Sequence, residues 1–135
     1  MYNKQSLLEI LDTQNRFGKI FLWLFVKPYT SRILKALKDD DKILTCSLYC
    51  FLNGDSGFYL LLQDRILFII ASPINSKKEL YLNNVASYTK STGLLTSVNI
   101  TDAGGKSFNL ENISEECADI TIKHLNALKE QIANK

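Results

Sequence analysis

The stretch Gly57–Ala71, with the sequence GFYLLLQDRILFIIA, decides the fold of this chain. Its two apolar runs, Phe58–Leu62 and Ile66–Ala71, are separated by the polar residues Gln63-Asp64-Arg65. Short runs rich in Ile, Leu and aromatic residues around a polar break are typical of a β-hairpin. A single buried helix is the competing interpretation, but it would bury a charged pair at its centre. We therefore predict a hairpin.

The segments around this hairpin predict further strands. Lys42–Leu52 alternates between apolar and polar residues, which is the period of a half-buried strand. Its apolar positions are predicted to share one face: Leu44, Cys46, Leu48, Cys50 and Leu52. Four later segments read as strands joined by turns: Lys77–Leu82, Val85–Lys90, Leu95–Thr101 and Lys106–Leu110. Seven short strands with compact turns imply an antiparallel barrel or sandwich.

The C-terminal segment Ser114–Asn134 has the pattern of an amphipathic helix. Ser114 is a favourable N-cap, and the acidic residues that follow it complement the helix dipole. Apolar residues recur along it at helical spacing: Ala118, Ile122, Leu125, Leu128 and Ile132. This stripe is predicted to pack on the sheet and to close an open end of the barrel.

Residues 1–41 predict a helical arm ahead of a domain at residues 42–135. Ser6 can cap a first helix, and Thr30 or Ser31 can cap a short second one. Asp39-Asp40-Asp41 is expected to end that second helix, because like negative charges at a helix C-terminus oppose the macrodipole. A solvated helix end is the expectation for these three carboxylates.

Composition places the chain among single-domain proteins with an ordinary core. It has 135 residues, 46% hydrophobic residues and a formal net charge of +2, which is too small to predict a nucleic-acid surface. Its three cysteines include Cys46 and Cys50, which are predicted about 13 Å apart on one strand face. A disulfide needs Cα atoms within about 7 Å. We expect buried thiols in a cytoplasmic protein, with a membrane-peripheral location as the alternative.

Within the segment Phe17–Val26, the run Ile20–Val26 is apolar on every side and lies between Lys19 and Lys27. Phe21, Trp23 and Phe25, flanked by Lys19 and Lys27, are candidate binding residues. Three interpretations stay open: a buried element, a surface for self-association or a protein partner, and shallow insertion into a membrane. Lys77 and Lys78 are further candidates for a binding surface.

The sequence predicts no catalytic or metal site and no cofactor. The single histidine, His124, and Cys117 are seven residues apart on the predicted helix, about 10 Å along its axis and too far for direct proton transfer. The loop Asn53–Gly57 contains an aspartate and no cation, which argues against phosphoinositide recognition. Arg65 is an isolated charge at a tight turn, and we expect it to be structural.

Three stretches resemble the bacterial PH-domain family of YokE-like proteins. The first is Leu60–Ile69, in which Gln63 stands where that family usually has Thr. The second is Leu80–Tyr88 with the Gly93-Leu94 that follows it, and the third is Val98–Leu110 with its Gly104-Gly105 turn. The resemblance covers about Lys38 to Leu128.

This resemblance implies an α+β, PH-like fold: a seven-stranded antiparallel β-barrel or sandwich, capped by a C-terminal α-helix and preceded by the N-terminal helical arm. It also implies a non-catalytic interaction module. The expected partner is another protein or a second copy of the chain, and the alternative is a peripheral membrane or lipid-binding module that uses the apolar arm. No nucleic-acid partner and no small-molecule substrate are expected.

Overall fold

The computed structural model describes residues 6–7, 29–71 and 76–133. The described chain forms seven strands and two helices of defined bounds. They are α1 (Thr30–Ala36), β1 (Ile43–Leu52), β2 (Asp55–Leu62), β3 (Arg65–Ile70), β4 (Lys77–Tyr81), β5 (Val85–Thr92), β6 (Thr96–Asp102), β7 (Ser107–Ile113) and α2 (Glu115–Ala133). A short 3-10 helix, Leu82–Asn84, joins β4 to β5. The predicted strand order along the chain and the C-terminal helix are confirmed.

All seven strands belong to one antiparallel sheet in the order β4-β3-β2-β1-β7-β6-β5. A single core cluster contains Ile66 and Leu80 from one end of that order together with Val98 and Ile100 from the other. The sheet therefore curls around a common interior. Leu125 and other apolar residues of α2 lie in the same cluster, so the helix closes this interior as predicted.

The central hairpin pairs β2 with β3 around the Gln63-Asp64 turn, with Phe58 opposite Ile69 and Leu60 opposite Leu67. Both faces of the hairpin are buried. Residues such as Tyr59 and Leu61 face the interior of the barrel, whereas the alternate residues face a second cluster on the outside. This two-sided burial explains why the hairpin reads as continuous apolar runs instead of as an alternation.

The N-terminal residues that the structure describes cover the outer face of β1–β3. Leu7 and Ile33 are both fully buried in the outer cluster. Tyr29 lies over Phe58, with their ring centroids 5.0 Å apart. The outer face of the hairpin is thus covered by residues that precede the sheet in sequence.

Strand β1 corrects the predicted shared face of Cys46 and Cys50. Its register against β2 shifts between Ile43 and Thr45 and again between Ser47 and Cys50. Each shift adds one residue to β1, and a bulge of this kind moves the following side chains to the opposite face. Cys46 therefore packs in the outer cluster and Cys50 in the interior. Both thiols are buried, and neither forms a disulfide.

The two helices differ in how they begin. Tyr29 is the N-cap of α1 and makes no side-chain capping bond, so the predicted caps Thr30 and Ser31 are wrong. Thr30 is instead buried inside the helix, because packing against the sheet sets where α1 starts. In α2 the predicted cap is confirmed: the Cys117 amide donates to Ser114 Oγ at 3.0 Å.

Replacing the α2 cap is expected to weaken the fold by a modest amount. Ser114→Ala removes the acceptor for one orphan amide, and we expect the free energy of unfolding to fall by about 1 kcal/mol. Urea denaturation followed by circular dichroism measures this change. Ser114→Asp is the matched control, because it keeps an acceptor at the N-cap and should unfold near the wild-type midpoint. Equal losses in both variants would contradict the capping role.

Candidate interaction surface

The sheet has two edge strands, β4 and β5, and they differ in how they present themselves to solvent. Strand β4 has five residues, of which Lys77, Lys78 and Glu79 are charged and exposed. Strand β5 has eight residues, is mostly exposed and carries one charge, Lys90. Natural edges are commonly blunted by charges, prolines or short length. Strand β5 has a bulge at its start, between Val85 and Ser87, but its greater length and single charge still make it the less protected edge.

The charge on β5 is engaged by the C-terminal helix. Lys90 Nζ lies 2.5 Å from Asp119 Oδ1 and 3.6 Å from Glu115 Oε1. The hydrogen bond with Asp119 is the main cause of the raised pKa of Lys90, so the side chain stays charged and paired. Tyr88 also reaches this helix and donates its hydroxyl to Asn126. Both contacts draw β5 side chains toward α2 and leave the strand edge without a free charge.

An apolar tip follows β5 directly. Leu94 in the β5–β6 turn is fully exposed, at 105% of its reference area, and Leu95 is 54% exposed. We call Gly93–Leu95 the tip. Exposed leucines are ordinary when scattered, but two adjacent ones at the end of an open edge form a small apolar projection.

A groove lies just before β5. It has a volume of about 350 Å³ and is bounded by Tyr81, Leu82 and Leu128, with Asp64 on its rim. We call this cavity the groove. Tyr81 is 41% exposed there. The tip follows the C-terminal end of β5, and the groove residues Tyr81–Asn83 lie just before its N-terminal end in sequence.

The predicted lysines lie on the opposite edge of the sheet. Lys77 and Lys78 are both exposed on β4, and Lys77 Nζ is 3.1 Å from Glu79 Oε1. Neighbouring residues of a strand point to opposite faces, so these two cations do not converge on one ligand. The other predicted site residues, Lys19, Phe21, Trp23, Phe25 and Lys27, lie outside the described residues.

The β1–β2 turn is occupied by structural contacts. Asn53 and Gly54 have φ values of 49° and 90°, which is the left-handed pair that a tight hairpin turn needs. Asn53 Oδ1 accepts from the Asn109 amide at 2.8 Å, and its Nδ2 donates to the Ser107 carbonyl at 3.2 Å. The turn therefore anchors the first hairpin to β7.

Arg65 is buried and bound on all sides, which supports its expected structural role. Its guanidinium contacts Asp41 at 2.6 and 2.8 Å, Asp64 at 3.0 Å and Glu79 at 3.1 Å. It also donates to the Ala36 carbonyl at the end of α1, 3.4 Å away. All three guanidinium nitrogens of Arg65 therefore donate hydrogen bonds to acceptors within the protein.

Asp41 corrects the expectation of a solvated helix end. The residue is 4% exposed, and α1 has already ended at Ala36. The hydrogen bond from Arg65 lowers the pKa of Asp41 to about 2, with further help from the Lys38 amide. The same pair raises the pKa of Arg65 above its ordinary value. Of the three aspartates, only Asp41 reaches inward; Asp39 and Asp40 are exposed.

The buried thiols of Cys50 and Cys117 and the buried phenol of Tyr59 are poor candidates for catalytic groups. Burial raises the pKa of Cys50 to about 12 and that of Cys117 to about 11, so neither is a thiolate at neutral pH. Burial likewise raises the pKa of Tyr59, whose hydroxyl lies 2.7 Å from Thr121 Oγ1. His124 has a partner that the sequence did not reveal, since its Nε2 donates to the Gln63 carbonyl at 3.0 Å.

The described part of the chain has neither a metal-binding cluster nor a membrane-spanning helix. Its acidic, histidine and cysteine side chains nowhere gather in a group of three that could hold a metal ion. Neither of its helices has the length and apolarity needed to cross a bilayer.

Sequence reasoning missed the tip and the groove as functional candidates. The signal for the tip was present, because Leu94-Leu95 follows a glycine in a predicted turn, where polar residues are usual. The groove had no such signal. Its walls come from the β2–β3 turn, the end of β4 and α2, which are distant in sequence.

Comparison with known proteins gives a family and a fold. The family model described as bacterial PH domain matches residues 37–127, which is more than half of the chain. The crystal structure of the C-terminal domain of an unknown protein from Leishmania infantum superposes with a TM-score of 0.58 at 8% identity, over 73% of this chain and 94% of that one. No curated protein matches. The family match supports the PH-like fold, while the narrower YokE-like resemblance stays a prediction.

Proposed function

The chain belongs to the bacterial PH-domain family, and on that premise we propose that it is a non-catalytic module that binds a protein partner or a second copy of itself. Fold alone does not assign a ligand, so the argument rests on the surface. The observation that carries it is the long edge strand β5, exposed and free of unpaired charge. Such an edge is a common docking site for another chain.

The N-terminal arm, residues 1–41, is proposed to extend this module's binding surface through Phe21, Trp23 and Phe25. Aromatic side chains are the usual anchors of protein interfaces. Leu7 and Ile33 stand on either side of these aromatics in sequence, and both are buried against the outer face of β1–β3. That packing ties the arm to the body, which begins at Lys42, and supports a shared role.

The alternative is a peripheral membrane module in which the same aromatics insert beside Lys19 and Lys27. Lys77 and Lys78 on β4 would add positive charge. A cytoplasmic location is proposed for either role. The two readings call for different ligands, a protein in one case and an anionic lipid surface in the other.

The triple variant Phe21→Ser/Trp23→Ser/Phe25→Ser tests the arm. It is preferable to deleting residues 1–27, because that deletion would also remove the buried Leu7. We expect immobilised wild-type protein to retain a protein partner or a second copy, and the triple variant to retain about tenfold less, as loss of an interface anchor implies. Phe51→Ser is the matched control, since Phe51 is an exposed aromatic residue on β1.

Flotation with vesicles of anionic phospholipid distinguishes the membrane-binding alternative from the protein-binding proposal. The protein-binding proposal expects no co-flotation of wild-type protein. If wild-type protein floats with the vesicles, the triple variant does not, and no protein is retained, the membrane reading replaces the proposal.

A further inference from the structure

We infer that two copies of this chain dimerise by antiparallel pairing of their β5 strands, with the tip of each copy seated in the groove of the other. The inference rests on the proposed interaction module and names its partner as a second copy. It uses three features that follow one another along the chain: the groove residues Tyr81–Asn83, the open strand β5, and the exposed Leu94-Leu95.

Antiparallel pairing about a two-fold axis brings the two ends of β5 together. Such an interface is isologous, so each contact occurs twice. If the axis passes through Tyr88, Thr92 at the end of β5 lies opposite Asn84, just before β5 of the other copy. If it passes through Thr89, Thr92 lies opposite Ala86 of the other copy. In both central registers the tip, which follows Thr92, extends past the start of the other copy's β5, on the side where Tyr81 and Leu82 border the groove.

The charges along the edge are compatible with pairing to itself. Lys90 is the only charged residue of β5. It would face Ala86 or Tyr88 of the other copy in the two central registers, and its charge is already paired with Asp119. The groove carries one rim charge, Asp64, which Arg65 holds at 3.0 Å. Neutral leucines thus meet a groove without an unpaired charge, and no like charges oppose one another.

The size of the groove suits a leucine tip. Its volume of about 350 Å³ is near the lower end of the roughly 300–1,000 Å³ that small-molecule pockets span. An eight-residue edge with two such contacts belongs to the smaller interfaces, below about 1,200 Å² in total. We expect a reversible dimer with a dissociation constant in the micromolar range, and not an obligate one.

A pair of cysteine substitutions tests the arrangement directly. In Asn83→Cys/Leu94→Cys, the new thiols of one copy stand at opposite ends of β5, about 25 Å or more apart, and cannot bridge within the chain. The proposed dimer places each beside its counterpart in the other copy. We expect mild oxidation to give a covalent dimer of the double variant. The native cysteines are buried and do not compete.

The single variants Asn83→Cys and Leu94→Cys are the controls. In the proposed dimer like positions lie far apart, so each alone should stay monomeric under the same oxidation. A covalent dimer of Leu94→Cys alone would mean that tips meet tips, which overturns the inference. Absence of a dimer from the double variant also overturns it.

Sedimentation velocity over a range of concentrations gives the non-covalent test. Leu94→Lys should weaken the dimer at least tenfold, while Phe51→Lys should leave it unchanged. Both substitutions replace an exposed apolar side chain by lysine and change the net charge equally. A wild-type protein that is monomeric throughout overturns the β5 dimer. The proposed protein-binding function is contradicted separately, if immobilised wild-type protein also retains no other protein.

Discussion

Gly57→Ala is expected to destabilise the protein by about 3 kcal/mol or more, within the upper range for overpacked cores. A Cβ at position 57 would lie 2.1 Å from the Ile69 carbonyl oxygen and 2.7 Å from Phe68 Cε1. The carbonyl belongs to the neighbouring strand β3 and cannot move without breaking the ladder. The only response is separation of β2 from β3 at the centre of the fold.

Denaturant unfolding at neutral pH measures this effect, and Gly93→Ala is the control. No atom lies within 4 Å of a Cβ built at Gly93, so the same substitution there should cost little. A Gly57→Ala protein that unfolds at the wild-type midpoint would show that β2 and β3 are farther apart than described. Such a result would undermine the hairpin on which the sheet depends.

Arg65→Met is expected to cost about 3–5 kcal/mol, the usual result of removing one partner from a buried ion pair. Arg65 and Asp41 have side chains 0% and 1% exposed, and their closest atoms are 2.6 Å apart. The substitution leaves Asp41 buried without a cation. The double variant Asp41→Leu/Arg65→Met should recover much of the loss, since it removes the stranded charge.

The same pair predicts how stability depends on pH. The pKa of Asp41 is lowered from 3.8 to about 2 in the folded protein, so the folded state binds fewer protons than the unfolded state over this interval. The lowered pKa of Asp41 contributes about 2 kcal/mol to the free energy of unfolding. This contribution is complete above the pKa of the unfolded state and is lost as pH falls toward 2.

Asp41→Asn should therefore flatten the pH dependence of the free energy of unfolding between about pH 5 and pH 2. Asp40→Asn changes the adjacent, exposed carboxylate and should leave the wild-type slope. Urea unfolding at several pH values compares the three proteins. Identical slopes for Asp41→Asn and wild type would contradict the assigned pair.

The predicted hairpin and the observed one agree because the signal is local. Phe58–Leu62 and Ile66–Ile70 are apolar on both faces, and a three-residue polar break between such runs leaves few alternatives to a turn. Ser114 was recognisable as a helix cap for the same reason. Its partner, the Cys117 amide, is only three residues away.

Prediction failed where distant residues decide the outcome. The separation of Cys46 from Cys50 depends on bulges in the pairing of β1 with β2, which the alternation of β1 does not reveal. Asp41 looked like part of a solvated acidic run because its partner, Arg65, is 24 residues away. The N-cap of α1 is likewise Tyr29, which packs on Phe58 of β2 and makes no side-chain capping bond.

The sequence by itself determined the strands, the central hairpin and the C-terminal helix, because the periodicity of apolar residues reports which side chains avoid water. Only the tertiary structure decided which element covers each face, which carboxylates pair with the buried Arg65, and which sheet edge stays open. Those outcomes depend on which distant segments pair, and the local periodicity of apolar residues does not indicate this. The binding surface proposed at β5 belongs to this second class, since the strand became an edge only when the sheet order was known.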